Sequence, residues 1–224
     1  MQYHFDWAPI WANRDLIVDG FLTTIALSAL ALGLALVTGV IVGTGGASQR
    51  PALRGCAAAY VELMRNVPLL VHLYFWYVGL SFLRLPPFYC AVAALTLYSG
   101  AYVAETVRAG LGAVAHGQRL AALATGLTPR QALFYVVYPQ ALRIITPSLA
   151  SLFSQLIKDS SLASVITVAE LTYQASAIEG QTFRTFEIYI TISLLYLALV
   201  TLVTWGLLLV PGAREQPAQG FGDA

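Results

Sequence analysis

The sequence predicts an all-α membrane protein with five transmembrane helices, and three observations lead to that fold class. Of its 224 residues, 58% are hydrophobic and 10% are charged, whereas soluble domains carry roughly 25% charged residues. The apolar residues form long runs, several of them near the ~20 residues that cross a bilayer core. The arginines concentrate between alternate runs. A bilayer is therefore the expected solvent, and a net charge of +1 gives no reason to expect a nucleic-acid partner.

The predicted spans are five apolar runs, at 21–42, 69–85, 88–107, 144–168 and 188–210. An amphipathic segment, 52–64, leads into the second span through Pro68, and Pro86 and Pro87 form the turn before the third. Glycine and proline inside a span are tolerated where neighbouring helices cover the freed backbone groups. We expect one transmembrane domain, 21–210, preceded by segment 1–20 and followed by a disordered tail, 211–224, which is polar and rich in Gly and Pro.

The arginines predict the orientation, because cytoplasmic loops carry an excess of basic residues. With five spans, one side of the membrane receives eight arginines: Arg50, Arg54, Arg65, Arg108, Arg119, Arg130, Arg143 and Arg214. The other side receives Arg14, Arg84 and Arg184. We therefore expect the N-terminus outside, the C-terminus in the cytoplasm, and segment 113–143 as a cytoplasmic loop. Trp7 and Trp11, before the first span, are expected to anchor at the outer interface.

The cytoplasmic loop begins with a predicted short amphipathic helix. Leu120, Leu123, Ala124 and Leu127 recur at helical spacing and form a narrow apolar stripe. Gly126 falls where this helix should end, a position at which a positive φ is often required.

A second short helix is predicted to start directly afterwards. Thr128 would cap it, Pro129 would occupy its first position, and Gln131 would complete a capping box. The apolar face continues through Leu133, Val136 and Val137 until Pro139 interrupts it. Two short helices meeting at a glycine could dock into a groove on a partner, or could lie on the membrane surface with their arginines near headgroups. The residue pattern leaves both interpretations open.

Lys158 is the one lysine of the chain and lies about fourteen residues into the fourth span, or roughly 21 Å at 1.5 Å per residue. A lysine at the bilayer centre costs roughly 2.5–3.5 kcal/mol, so we expect it to face the protein interior or a wet cavity. Asp159, Ser160 and Ser161 follow it directly. One interpretation pairs Lys158 with a buried acid, Glu105 or Glu170. The other places residues 158–161 along a solute pathway.

Two further pairs, Glu105–Arg108 and Glu62–Arg65, have the i,i+3 spacing of helical ion pairs. The sequence contains no phosphate-binding loop of the G-x4-G-K-[ST] type, in which a lysine reaches the phosphates. Its histidines, His4, His72 and His116, are too scattered to predict a metal site. The chain is therefore not expected to be an enzyme.

The loop also carries a motif. Ala121-Ala122, Gly126, Val136 and Pro139 resemble the EAA motif, EAA-x3-G-x9-I-x-LP, of the inner-membrane permease subunits of ATP-binding cassette importers. Gly117-Gln118 before the motif and residues 140–143 after it are similar to the polar amino-acid branch of that family. Segments 60–70, 100–110 and 156–171 agree as well, so the resemblance covers about 16–210.

This resemblance implies a type I importer permease fold in the bacterial inner membrane, with segment 1–20 in the periplasm. It implies that the loop is the coupling element for a separate ATPase subunit, with Gly117, Leu120, Ala121, Ala122, Gly126 and Pro139 at the contact. ATP would bind that subunit, so no cofactor is expected on this chain. A periplasmic substrate-binding protein and a second permease would complete the transporter. The resemblance also favours the pathway interpretation of residues 158–161, and we expect Lys158, Asp159, Ser160, Ser161 and Glu105 along that pathway.

Two departures from the motif bear on these expectations. Leu120 stands at the glutamate position, and Tyr138 stands where the motif has leucine. Since Leu120 cannot make a polar contact, a second, non-identical permease could supply the glutamate, and we expect a heterodimer. The start FDW and segment 170–180, which we expect to be a loop, are similar to glutamate/aspartate systems, and this favours those substrates. The alternative function is a secondary amino-acid transporter or channel that ATP does not drive.

Overall fold

The computed structural model describes residues 3–208 of the chain. Within that range the protein is all-α, as predicted, and contains no strand. Its helices are α1 (Ala8–Ala12), α2 (Arg14–Gly46), α3 (Pro51–Asn66), α4 (Leu69–Tyr74), α5 (Pro87–Ala113), α6 (His116–Ala124), α7 (Pro129–Ala132), α8 (Tyr138–Asp159), α9 (Leu171–Thr182) and α10 (Thr185–Leu208). A π turn, Phe75–Gly79, extends α4, another, Leu133–Val137, joins α7 to α8, and 3₁₀ turns cover Ser81–Leu83 and Ser160–Ile166. The predicted tail, 211–224, lies outside the described residues.

Helix α5 is the centre of the bundle and packs against α2, α3, α4 and α8. It buries a nearly continuous series of small and branched residues, including Ala91, Ala94, Leu95, Val103 and Val107. The main hydrophobic core joins this surface to Leu27 on α2, Leu73 on α4 and Leu156 on α8. α5 can contact so many neighbours because its apolar residues surround the helix rather than forming one stripe.

Helices α2 and α5 approach closely because glycine lies at their contact. A Cβ placed on Gly43 would lie 2.5 Å from the Ala104 carbonyl oxygen and 2.8 Å from the Val107 Cβ. Gly39, one turn earlier, lies directly against Val103. Small residues spaced by four allow backbones to pack tightly in membrane proteins, where van der Waals contact replaces the hydrophobic effect between helices.

Segment 170–180, interpreted from sequence as a loop, is instead a helix, α9, that begins beside Glu170. The Glu170 carboxylate accepts hydrogen bonds from Thr172 N at 3.0 Å and Tyr173 N at 2.7 Å. Leu171 N donates to Thr24 Oγ1 on α2 at 3.1 Å. The first amides of the helix, which lack partners inside it, are therefore satisfied by a buried carboxylate and a hydroxyl.

The N-terminal segment is held against the start of α10. The fully buried carboxylate of Glu187 accepts hydrogen bonds from the Tyr3 hydroxyl and from Asp6 N. Arg184 donates to the His4 carbonyl oxygen at 2.9 Å and lies 3.8 Å from the Asp6 carboxylate. Trp7 and Trp11 are 44% and 70% exposed on this segment. Their position stays compatible with the predicted interfacial anchoring.

Three of the described helices are long and apolar enough to cross a membrane: Arg14–Gly46, Pro87–Ala113 and Thr185–Gly206. The second predicted span begins instead as a shorter apolar helix, Leu69–Gly79. The fourth is divided between α8, which contains Pro147, and the 3₁₀ turn after it. The count of five spans and the orientation of the termini remain predictions.

Candidate functional site

The candidate coupling segment, residues 113–143, has the local structure that its residues predict. Helix α6 ends before Gly126, whose φ of +89° lies in the left-handed region that glycine enters without steric cost. Thr128 Oγ1 then accepts a hydrogen bond from Gln131 N at 3.3 Å, and Gln131 Oε1 accepts one from Thr128 N at 2.9 Å. The predicted capping box is confirmed.

Pro139, which was expected to interrupt the apolar face, does not end the helical run. The chain continues from α7 through the π turn Leu133–Val137 into α8, and Pro139 occupies the first turn of α8. Proline lacks an amide hydrogen, so it is tolerated in the first turn of a helix, where that hydrogen would have no partner inside the helix. The π turn lies directly before that first turn, and α8 then runs without a break to Asp159.

The motif residues divide into a buried side and an exposed side. Ala122 is 6% exposed and packs inward, as do Ala132 and Val137. Gly117, Ala121, Gly126 and Pro139 are exposed. Leu120 is 53% exposed, so the residue at the motif's glutamate position points away from this chain. The predicted apolar stripe is thus only half buried, with Leu123 and Leu127 on the inner side.

Polar contacts join the two ends of the segment and attach it to the bundle. Gln140 Nε2 donates to Gln118 Oε1 at 3.4 Å, which brings together the residues that flank the motif in sequence. The Tyr138 hydroxyl is hydrogen-bonded to that of Thr44 on α2. The Tyr138 ring stacks on Phe134, with centroids 5.4 Å apart.

The predicted pathway residues lie where α8 passes into the 3₁₀ turn. Ser160 Oγ donates to the Ile157 carbonyl and Ser161 Oγ to the Lys158 carbonyl, each at 2.7 Å. Both hydroxyls therefore serve their own backbone. Asp159 Oδ1 accepts from Gln155 Nε2 at 2.8 Å, whereas the Lys158 side chain is exposed on the surface of this single chain.

Lys158 pairs with neither of the acids considered for it. Glu105 binds Arg108 Nη2 at 2.6 Å, which confirms the predicted i,i+3 pair. Glu170 caps α9 and accepts a hydrogen bond from the Tyr196 hydroxyl at 2.7 Å. The interpretation of Lys158 as half of a buried structural pair is therefore wrong for this chain.

Sequence reasoning missed a tyrosine pair on α5. The hydroxyls of Tyr98 and Tyr102 are 3.2 Å apart, and the Arg65 guanidinium lies 5.0 Å from the centre of the Tyr102 ring. The predicted pair of Arg65 with Glu62 is not among the ion pairs of residues 3–208. The signal available in the sequence was the i,i+4 spacing of two tyrosines inside an apolar span.

These residues form a continuous polar face. Tyr98, Tyr102 and Glu105 are spaced by four and three residues, which places them on one side of α5. All three are partly exposed, on a helix that buries 13 of its 27 residues. Arg65 lies against this face at Tyr102, and α5 also packs against α8 and the 3₁₀ turn that follows it.

A cavity of about 370 Å³ continues the polar face between α2, α3 and α5. Its charged lining residues are Arg54, Glu62, Arg65, Glu105 and Arg108. Two carboxylates and three guanidiniums thus surround one space, which could hold a zwitterion by pairing each of its ends with an opposite charge. No group of three or more potential metal ligands lies among the described residues.

The fold and these features define a membrane transport subunit, and comparison with known proteins identifies its family. Residues 35–211 match the family model described as binding-protein-dependent transport system inner membrane component. The chain belongs to that family. It is therefore a multi-pass inner-membrane transport component rather than an enzyme, and the resemblance seen in its sequence motifs is confirmed.

Individual relatives agree. The Probable glutamine ABC transporter permease protein GlnM of Bacillus subtilis is 38% identical, with 85% of this chain and 89% of that protein covered. The Glutamine transport system permease protein GlnP of Escherichia coli is 36% identical, with coverage of 89% and 92%. The Glutamate/aspartate import permease protein GltJ of E. coli is 36% identical, with coverage of 80% and 79%.

A solved structure extends the likeness to three dimensions. A chain of the crystal structure described as an amino acid ABC transporter with histidines superposes with a TM-score of 0.83 at 35% identity. The alignment covers 92% of this chain and 97% of that one.

Proposed function

We propose that this chain is the permease subunit of an ATP-driven importer of polar amino acids and supplies half of its translocation path. The observation that carries the proposal is the polar face of Tyr98, Tyr102 and Glu105, which stays partly open on the helix at the centre of the bundle. Polar and ionisable groups inside a membrane are costly and mark solute pathways when they face a shared interior.

Lys158 fits the same proposal. It is exposed in the isolated chain, and an ammonium facing lipid at mid-depth would cost several kcal/mol. Covering it requires a second permease subunit that faces the same path. We propose that this second subunit is non-identical, because Leu120 cannot make the polar contact that the motif's glutamate would make.

The coupling segment is proposed to transmit the ATPase movement. Its outer surface presents Leu120, Phe134 and Tyr135, which are 53%, 60% and 72% exposed. An apolar surface of this kind suits docking into a groove of a partner. ATP binding would close the two ATPase subunits, and the segment would pass that motion to α5 and α8 by rigid-body movement. A periplasmic binding protein would deliver the substrate.

For the substrate we propose an amino acid whose short side chain ends in an amide or a carboxylate. The support comes from the relatives, which are named for glutamine and for glutamate/aspartate at similar identity. Glutamate and aspartate, the substrates that the sequence favours, remain one of these two options. Glutamine is the first substrate to test because both relatives at the higher coverage carry its name.

The test is uptake of labelled glutamine into proteoliposomes that contain the co-purified transporter, with its binding protein outside and ATP inside. Excess unlabelled glutamate, aspartate, histidine or arginine, added separately, ranks the substrates. We expect Lys158→Met and Glu105→Gln to reduce the uptake rate at least tenfold, and Arg14→Gln, an exposed charge far from the polar face, to leave it unchanged. Uptake that needs no ATP and is abolished by a protonophore would replace the proposal with a secondary transporter.

A further inference from the structure

A groove of about 1220 Å³ lies between the candidate coupling segment and the end of α2, and it shares Arg108 with the cavity described above and Phe134 with the exposed docking surface. One wall is formed by the last turns of α2 and the turn that follows, 47–50. The opposite wall is formed by the end of α5, by α6, and by the π turn after α7. The groove thus occupies the common end of two helices that are long and apolar enough to span a membrane.

The charges of the groove have one sign. Its basic lining residues are Arg50, Arg108, Arg119, Arg130 and His116, and no Asp or Glu lines it. Of these arginines only Arg108 forms an ion pair among the described residues, with Glu105. Arg50, Arg119 and Arg130 are exposed, and none of the three appears in the ion pairs of residues 3–208. No acidic side chain of residues 3–208 therefore pairs with these three arginines.

The walls between the arginines are apolar and open. Ile41 is 66% exposed, Leu53 47% and Phe134 60%, and all three line the groove. Ile41 also continues the outer surface of α2, where Val37 is 57% exposed. The apolar walls of the groove are therefore continuous with the outer surface of α2, so a molecule could enter the groove directly from the surrounding lipid.

We propose that this groove binds an anionic phospholipid, with its phosphate among the arginines and the upper part of an acyl chain against Ile41 and Phe134. Charge complementarity selects an anion, and basic pockets between membrane helices on the cytoplasmic side bind anionic headgroups. The continuity of the walls with a membrane-spanning surface selects a lipid rather than a free phosphate, which has no use for exposed apolar side chains.

The position gives the lipid a mechanical role beyond transport itself. The bound headgroup joins Arg50, which begins α3, to Arg119 and Arg130 on the coupling segment. It lies beside the hydrogen bond between Thr44 and Tyr138. An anionic lipid therefore holds the coupling segment against the end of α2. Because the contact is electrostatic and partly exposed, added salt weakens it.

The experiment measures lipid retention by the complete transporter. The complex is equilibrated with vesicles containing phosphatidylglycerol and phosphatidylcholine in equal amounts, extracted in mild detergent, and analysed for bound lipid by native mass spectrometry. We expect phosphatidylglycerol to be enriched over phosphatidylcholine, and the double variant Arg50→Gln/Arg119→Gln to lose that enrichment by ~fivefold for each arginine. The matched control Arg84→Gln/Arg143→Gln removes the same charge away from the groove and keeps the enrichment.

The Arg50→Gln variant alone separates lipid binding from ATPase docking, because Arg50 lies outside the coupling segment. It should retain the ATPase and still lose part of the phosphatidylglycerol. Equal retention of both lipids by the wild-type transporter, or undiminished phosphatidylglycerol in the double variant, overturns the proposal. A preference for phosphatidylglycerol that appears only after the ATPase has been removed also overturns the proposal. That result would mean that an acidic surface of the ATPase occupies the groove in the complete transporter.

Discussion

The hydroxyl groups of Tyr138 and Thr44 are hydrogen-bonded, which joins the first residue of α8 to the last turns of α2. Tyr138 stands where the family motif has leucine, so the departure from the motif creates this contact. Thr44 also donates to the Val40 carbonyl oxygen at 2.6 Å, and the shared hydroxyl forms a short relay. This polar contact attaches α2 to the candidate coupling segment. It lies where the proposed movement of that segment would reach α2.

Replacing Tyr138 with phenylalanine tests this attachment. The ring and its stacking on Phe134 remain, while one neutral hydrogen bond, worth about 1 kcal/mol, is lost. We expect a small fall in the thermal unfolding midpoint and a several-fold loss of ATP-driven uptake at unchanged ATPase binding. Tyr89→Phe is the control, since Tyr89 is 56% exposed and lies outside the candidate coupling segment. Equal effects of the two substitutions would show that the Tyr138 hydroxyl has no special role.

The contact between α2 and α5 predicts a strong effect at Gly43. In Gly43→Ala, the new methyl group meets the Ala104 carbonyl at 2.5 Å, so the helices must separate, at a cost of about 1–3 kcal/mol. Gly33→Ala on the same helix is the control, because nothing lies within 4 Å of its added Cβ, and alanine favours a helix by about 1 kcal/mol over glycine. Thermal unfolding in detergent should move down for Gly43→Ala and not for Gly33→Ala.

Removing the Glu170 carboxylate is expected to lower the local stability of α9. Glu170→Ala leaves the amides of Thr172 and Tyr173 and the hydroxyl of Tyr196 without their acceptor, and each unsatisfied buried donor costs about 1–3 kcal/mol. Hydrogen exchange of the first turns of α9 should become markedly faster. Glu170→Gln retains one carbonyl oxygen and should lie between wild type and alanine. Protection unchanged in the alanine variant would mean that water replaces the cap.

The attachment of the N-terminal segment depends on Arg184 and Glu187. Arg184→Gln removes the donor to His4 and the partner of Asp6, so residues 3–12 should exchange their amides faster. The outcome is read by hydrogen–deuterium exchange of N-terminal peptides. Arg14→Gln serves as the control, because Arg14 pairs only with its neighbour Asp15, at 3.6 Å. If both variants exchange alike, the segment is held by its aromatic contacts instead.

Local chemistry explains which features were predictable. The left-handed Gly126 and the capping box of Thr128 and Gln131 follow from rules that act over a few residues, and the structure confirms both. The pair of Glu105 and Arg108 follows from helical spacing in the same way. The transport family was also accessible, because its motif is a linear pattern.

Features that depend on tertiary contact were not predictable. Arg65 faces Tyr102 rather than Glu62 because α3 lies across α5, and no spacing within α3 encodes that crossing. Helix α9 was missed because its start is stabilised by Glu170 and by Thr24 from a distant helix. Lys158 was expected to face the protein interior or a wet cavity, whereas it is exposed on the surface of the single chain.

The π turn Leu133–Val137 has one further consequence, for the rotation of α8. A π turn contains one residue more than the α-helical turn it replaces, and each helical residue turns the chain by about 100°. Deleting a single residue there would rotate all of α8 by that angle and carry Ile145 and Phe153 out of the core. The π turn therefore determines, from some twenty residues upstream, the directions in which Gln155, Lys158 and Asp159 point. It sets the rotation of α8 about its own axis.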